Sequence, residues 1–164
     1  MASFDPGPPA AVAKLLGQLP SYAASKEAFW FDWGPIFYRG RLNKSARVLC
    51  VGQDPGPTER IANRTLVGDA GQRVQGFLTK LGLTRSYVCL NACAYAMIPS
   101  ESATAAPLLQ DPAHVAWRNM VFDLVTGPKL QAVIAFGNKA HAAVALWPGH
   151  GGVAVFNILH PSSH

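Results

Sequence analysis

Two kinds of segment alternate along the chain, one continuously apolar and one apolar only at intervals. Four mostly apolar runs, at 47–51, 86–92, 131–137 and 153–159, have the length and composition of strands buried on both faces of a sheet. Between them, apolar residues recur every three or four positions. The best example is Val74, Phe77, Leu78 and Leu81, which predict a helix that stops at Gly82.

Further helices complete a strand-then-helix rhythm. Helical spacing recurs at 9–19 and after Asp111-Pro112, and an Ala-rich segment at 139–147 follows the third strand run. Strands linked by helical crossovers of about ten residues or more form parallel sheets. We therefore predict an α/β fold, a three-layer α/β/α sandwich with a central four-stranded parallel sheet. Residues 58–65 and 99–110 are predicted to be loops, and Asp69 to cap the helix that follows it.

Length and composition predict one globular domain over residues 1–164. The chain is 49% hydrophobic and 14% charged, which is enough to form one substantial core. Its 164 residues are too few for two domains. The formal charge is +5, with 14 Lys and Arg against 9 Asp and Glu. This balance favours a polyanionic partner without proving one, because many basic proteins bind no nucleic acid.

Cysteine usage and hydropathy exclude several classes of protein. Three cysteines without a CxxC pair argue against a disulfide framework and against a zinc or four-thiolate site, and Cys50 and Cys89 fall inside strand runs as small core residues. No apolar run reaches the roughly 18 residues of a membrane span, and the N-terminus does not resemble a signal peptide. We expect a cytoplasmic monomer with no metal and no cofactor.

An aromatic segment precedes the first strand run. Its rings are Tyr22, Phe29, Trp30, Phe31, Trp33, Phe37 and Tyr38. Such rings could stack on nucleic-acid bases, or they could form a hydrophobic cover over one side of the core. We favour the cover, because clustered rings at this density are more often buried than offered to a ligand.

Three strand runs end in a side chain capable of chemistry. Asp54 follows the first run within the rigid turn Gly52-Gln53-Asp54-Pro55-Gly56-Pro57, Asn91 ends the second, and His160 follows the fourth. The carboxyl ends of parallel strands share one edge of a sheet, where α/β proteins bind ligands. Each residue also has a structural interpretation: a helix cap for Asp54, a turn brace for Asn91 and a buried histidine for His160. Their combination favours a site.

These segments resemble motifs of the uracil-DNA glycosylase superfamily over residues 47–164. Gly52-Gln53-Asp54-Pro55 resembles its first motif, Leu90-Asn91-Ala92 the strand that reads the uracil ring, and His160-Pro161-Ser162 the second catalytic motif. Residues 64–72, RTLVGDAGQ, are similar to the segment after motif one in the bacterial and archaeal branches. One tetrapeptide would be weak, but four in the right order are specific.

The resemblance implies roles for individual residues. Asp54 would orient water and favour a cationic sugar, while neutral His160, helped by main chain near Gln53, would favour the departing anionic base. Asn91 would pair with uracil N3–H and O4 and reject cytosine. The remaining substrate-binding positions would be Gly52, Gln53, Pro55, Gly56, Leu66 and Ser162. The implied partner is DNA containing uracil or another deaminated base, which must be flipped out of the duplex, with Arg60, Arg64 and Arg73 contacting phosphates.

The chain departs from the family pattern at four points. Gly56 replaces the tyrosine that excludes thymine in the most selective branch, so a wider pocket is expected. Leu66 replaces a base-stacking phenylalanine. Three cysteines are too few for the four-cysteine iron-sulfur cluster of related branches. The sequence stops at His164, before the loop that fills the space left by a flipped base, and we expect a truncation there.

Two alternatives to a glycosylase remain open. One is a superfamily member that binds DNA or senses lesions with weak or no turnover, favoured by Gly56, Leu66 and the missing loop. The other is a nucleotide- or phosphate-binding α/β protein, suggested by the glycine-containing turn 68–71 before a helix. That turn lacks the spacing of known phosphate-binding loops, so the nucleotide- or phosphate-binding interpretation is the weakest.

Overall fold

A computed structural model describes residues 4–162. Within this range the strands, in chain order, are β1 (Phe29–Trp30), β2 (Tyr38–Gly40), β3 (Val48–Gly52), β4 (Tyr87–Asn91), β5 (Ala96–Met97), β6 (Ala132–Phe136) and β7 (Ala154–Ile158). The α-helices are α1 (Ala10–Leu16), α2 (Pro57–Ala62), α3 (Asp69–Lys80), α4 (Ser102–Ala105), α5 (Pro112–Val125) and α6 (Asn138–Ala145). None of the helices in this range is long and apolar enough to cross a membrane.

The central sheet has five strands in the order β2-β4-β3-β6-β7. The four predicted strands, β3, β4, β6 and β7, are present and mutually parallel. The predicted count of four is wrong, because β2 adds an antiparallel edge, with Tyr38 opposite Leu90 and Gly40 opposite Val88. A three-residue strand contains no periodic signal. Its existence depends on the β4 edge that it pairs with.

Helices cover both faces of this sheet, as a sandwich requires. Successive strand residues point to opposite faces. Leu49 and Val51 pack against α1, α5 and α6, with the fully buried Trp147 in the same cluster. Cys50 faces the other way and packs against α3, together with Leu78. Burying a side chain of this size contributes about 1.5–3 kcal/mol, so both layers stabilise the fold.

Three local predictions differ from the structure. Residues 58–65 were predicted as a loop, but α2 occupies most of their length, and Pro57 begins it at a position where the missing N–H costs nothing. Residues 99–110 contain short 3₁₀ turns and α4. Asp69 is the first residue of α3, and the cap is Gly68. The helix predicted after Asp111-Pro112 is present as α5, and Asp111 caps it by accepting hydrogen bonds from the N–H groups of Ala113 and His114.

The aromatic segment divides between core and surface. Tyr22 and Phe29 are buried, 5% and 3% exposed, and their rings meet edge to face with centroids 4.8 Å apart. They pack in one cluster with Met97 of β5, which pairs with β1 in a small two-stranded antiparallel sheet. Trp30 and Phe31 instead remain 40% and 39% exposed. The predicted hydrophobic cover is therefore right for Tyr22 and Phe29 and wrong for Trp30 and Phe31.

Candidate active site

A cleft of about 430 Å³ opens at the carboxyl edge of the parallel strands. Its walls come from the turn after β3, the start of α2, the turn before α3 and the segment after β7. Seven of the sequence-predicted site residues line it: Gln53, Asp54, Pro55, Gly56, Leu66, His160 and Ser162. Asn91 and Gly52 do not line it. A larger groove of about 890 Å³ beside α1 is mainly apolar, and neither an acid nor a histidine lines it.

Asp54 is held at the cleft wall by the backbone of β5. The N–H of Met97 donates to Asp54 Oδ2 at 2.9 Å, which leaves Oδ1 for another partner. Burial raises the pKa of Asp54 to about 6, the negative charge of Glu59 adds to the rise, and the Met97 N–H and the charge of Lys139 oppose it. The carboxyl therefore changes charge just below neutral pH.

His160 follows β7 and is half-buried. The N–H of Ser162 donates to its Nδ1 at 3.3 Å, so the neutral ring carries its proton on Nε2. Burial lowers the pKa of His160 and favours this neutral form. A side chain at Gly137, whose φ is +84°, would place Cβ only 3.1 Å from His160 Cβ. Glycine there lets the histidine approach the sheet edge closely.

Asn91 does not reach the cleft: it ends β4 beside β3 and lines a separate small cavity with Ala94 and Arg118. It is opposite Gly52 in the parallel register, and a Cβ at Gly52 would lie 2.6 Å from Asn91 Oδ1 and 3.5 Å from Leu66 Cδ2. Only glycine at position 52 leaves room for this carboxamide. Asn91 Nδ2 is buried and has no hydrogen-bond partner, which makes it an available donor next to Leu66.

Leu66 is held in an unusual backbone conformation beside the cleft. Its φ is +55°, a region that costs a leucine free energy. Its carbonyl oxygen accepts from Arg39 at 3.0 Å and from Gln75 at 3.2 Å, and these two bonds fix the turn. A Cβ at Gly71 would lie 2.0 Å from the Leu66 carbonyl carbon. Close helix packing therefore explains this glycine, and the phosphate-binding interpretation of 68–71 loses its support.

Glu59 is a site residue that sequence reasoning missed. Predicted on a surface loop, it is only 7% exposed and contributes to the cleft. Its Oε2 accepts from the N–H of Gly56 at 3.2 Å, and its Oε1 from the N–H groups of Val67 and Gly68 at 3.0 Å each. One carboxylate thus joins two walls of the cleft. The signal was an acid three residues after Gly56, the spacing of a capping box.

The three arginines predicted to contact phosphates have different surroundings. Arg64 forms an ion pair with Asp5 at 2.6 Å and lies over the Tyr38 ring, 4.7 Å from its centroid. Arg73 donates to the carbonyl oxygen of Pro161, at the mouth of the cleft. Arg60 is exposed on α2. Arg60 and Arg73 therefore flank the cleft on different elements, whereas the charge of Arg64 is partly neutralised.

The cleft combines an acid that ionises near neutral pH with a neutral imidazole whose N–H is free to donate. Both extend from the carboxyl edge of a parallel sheet, one from each of two strands. Within residues 4–162, no three His, Cys, Asp or Glu side chains form a group that could hold a metal ion. An acid and a neutral imidazole in one cleft could stabilise opposite charges on the two sides of a bond.

A comparison with known protein families identifies the superfamily of this chain. Residues 39–164 match the family model of the uracil DNA glycosylase superfamily, which covers more than half of the chain. The protein belongs to this superfamily, and membership supports a DNA glycosylase-type function in base-excision repair. A search of curated proteins found no significant match to this chain.

Proposed function

We propose that this protein is a monofunctional DNA glycosylase that hydrolyses the N-glycosidic bond of uracil or a related deaminated base. The observation that carries the proposal is the shared cleft, which Asp54 lines after β3 and His160 lines after β7. These residues are more than a hundred positions apart in the chain, and no structural requirement of the sheet calls for an acid and an imidazole at this edge.

Asp54 acts on the sugar side of the bond. With Oδ2 engaged by Met97, Oδ1 accepts a proton from a water molecule and directs its oxygen to the sugar carbon as the base departs. The carboxylate charge also stabilises the cationic character that the sugar acquires in such a transition state. Because the pKa of Asp54 is about 6, the required ionised form predominates above that pH.

His160 acts on the base side. Its Nε2–H donates to a carbonyl oxygen of the pyrimidine, where negative charge accumulates as the glycosidic electron pair moves onto the base. The Ser162 N–H on Nδ1 holds the tautomer that this role requires. The lowered pKa of His160 keeps the ring neutral at physiological pH, so it stabilises the anion by hydrogen bonding and not by a full charge.

Base selection uses groups at the back of the cleft. The unpartnered Nδ2 of Asn91 donates to uracil O4 and its Oδ1 accepts from N3–H, after the Leu66 side chain moves aside or packs on the ring. At position 56, a Cβ would lie 2.9 Å from Glu59 Oε2, so the Glu59 contact requires a small residue there. Without a bulky side chain at this position, bases with a 5-substituent fit the cleft, and the substrate range extends beyond uracil.

Charge and cysteine content complete the proposal. Arg60 and Arg73 contact DNA phosphates on either side of the cleft, in keeping with the net charge of +5. Cys50, Cys89 and Cys93 are buried free thiols, which suits the reducing cytoplasm. We propose a cytoplasmic protein that acts as a monomer and needs no cofactor.

The test is a single-turnover assay with enzyme in excess over a labelled uracil-containing oligonucleotide, followed by alkaline cleavage of abasic sites. The wild-type protein should produce a cleavable abasic product, and Asp54→Asn should lose at least about a hundredfold in rate. Asp69→Asn is the matched control, because Asp69 lines the same cleft but is exposed. Absence of product from the wild-type protein on uracil, hypoxanthine and xanthine substrates would end the proposal.

A second candidate is a lesion-binding member with weak or no turnover. Leu66, which offers no aromatic face to a flipped base, is the observation that favours it. This candidate predicts tighter binding to uracil-containing than to thymine-containing DNA without any abasic product. Leu66→Phe would then create measurable excision, whereas in an active enzyme it would only increase the existing rate.

A further inference from the structure

Two tryptophans and one arginine form an exposed aromatic surface, called here the tryptophan platform: Trp30, Trp33 and Arg60. The two indole rings lie 4.9 Å apart between centroids and are inclined by only 34°. The Arg60 guanidinium carbon lies over the Trp33 ring, 5.4 Å from its centroid. Trp30 is 40% exposed and Trp33 is half-buried, so part of each side chain is in contact with solvent.

The platform lies beside the wall of the cleft that holds Asp54. Trp30 is opposite Ala96 in the antiparallel β1–β5 sheet, and the next residue, Met97, donates the N–H that positions Asp54. Arg60 is on α2, whose first three residues line the cleft. The platform therefore flanks the cleft on two elements that are both connected to its catalytic wall.

The core does not explain this arrangement. The neighbouring rings Tyr22 and Phe29 are buried in the core cluster that includes Met97, whereas Trp30 and Trp33 belong to none of the core clusters. Indole faces beside a guanidinium group are the chemistry that stacks a nucleobase and binds the adjoining phosphate. Asp32, which stands between the two tryptophans in the sequence, is exposed and negatively charged, and Arg60 is the cation that contacts the Trp33 ring.

We infer that the tryptophan platform stacks an unpaired base next to the nucleotide in the cleft, which selects single-stranded or locally melted DNA as the substrate. In a duplex each base face is covered by its neighbours, so a stacking surface can hold a base only where pairing is broken. The inference rests on the proposed DNA glycosylase function for its location and names the strand form that this site takes.

The test measures binding and excision separately. Binding is measured by fluorescence anisotropy with a labelled oligothymidine that contains no uracil and with its duplex. The double variant Trp30→Ala/Trp33→Ala should bind the single strand between about fivefold and a hundredfold more weakly, the effect of losing a stacked base, with less than a twofold change on the duplex. Trp30→Phe/Trp33→Phe keeps aromatic faces and should retain most of the affinity.

Two controls keep the outcomes distinguishable. Phe156→Leu removes an exposed ring from the edge strand β7 and should leave single-strand affinity unchanged. Tryptophan fluorescence should be quenched by the oligothymidine in the wild-type protein and much less in the Phe double variant, because Trp147 is buried and Trp117 packs on the core. If both double variants bind the single strand like the wild-type protein, or lose single-strand and duplex affinity equally, the inferred stacking role of the tryptophan platform is refuted. Excision by the wild-type protein would still support the glycosylase proposal, and its absence would refute that proposal alone.

Discussion

Replacing Asp54 by asparagine should stabilise the protein while abolishing its activity. Folding raises the pKa of this carboxyl from an ordinary value of about 3.9 to about 6, chiefly by burial. Between these values the native state binds more protons than the unfolded state, so the free energy of unfolding falls as pH rises through this window. Above about pH 6 the full cost of the buried charge is present, on the order of 2–3 kcal/mol.

Asparagine removes that cost and keeps an oxygen able to accept the Met97 N–H. We expect Asp54→Asn to match the wild-type protein near pH 4 and to exceed its free energy of unfolding by about 2 kcal/mol at pH 7.5, after allowance for partial solvent exposure. For a chain of this length, that is a melting temperature higher by about 4–8 °C.

Urea unfolding between pH 4 and pH 8, followed by circular dichroism, measures the difference directly. Asp69→Asn is again the control: it removes an exposed acid at the start of α3 and should lose about 0.3–1 kcal/mol with little pH dependence. A lower free energy of unfolding for Asp54→Asn than for the wild-type protein at pH 7.5 would contradict this prediction. So would a difference in free energy of unfolding that does not change between pH 4 and pH 7.5.

Three further measurements test other parts of the site. Glu59→Gln replaces one hydrogen-bond acceptor by a donor that faces backbone N–H groups, and in urea titrations it should lower the free energy of unfolding by about 2 kcal/mol. The control Glu27→Gln, at an exposed position, should change the free energy of unfolding by less than about 0.5 kcal/mol. Gly71→Ala should lower the free energy of unfolding by about 3 kcal/mol or more, because its Cβ would collide with the backbone of the preceding turn. Gly76→Ala on the same helix has open space around it and should raise the free energy of unfolding by about 0.5–1 kcal/mol. Equal effects of the two substitutions would contradict the packing explanation. The single-turnover rate should rise about tenfold per pH unit below about pH 6 and level off above it as Asp54 ionises, and a rate that falls across this range would contradict the assigned role.

Local patterns determined the parts of the fold that depend on neighbours along the chain. The four parallel strands, α3 and α5 were predictable because burial on both strand faces demands continuous apolar runs, and burial on one helix face demands a period near 3.6. Strand ends also placed Asp54 and His160 correctly at one sheet edge, since parallel strands align their carboxyl ends.

Tertiary contacts decided what those patterns could not. Glu59 looks like a surface acid until the backbone of the turn before α3 approaches it, and β2 exists only because β4 offers an edge. Asn91 was expected in the cleft but lines a separate small cavity, because register and turn conformation, which no periodicity encodes, set its position. Trp30 carries the same local signal as the buried Phe29, and only the packing of the β1–β5 sheet determines which ring meets solvent. Hydrophobic spacing specifies which elements form, whereas the pairing of distant polar groups is settled when those elements meet.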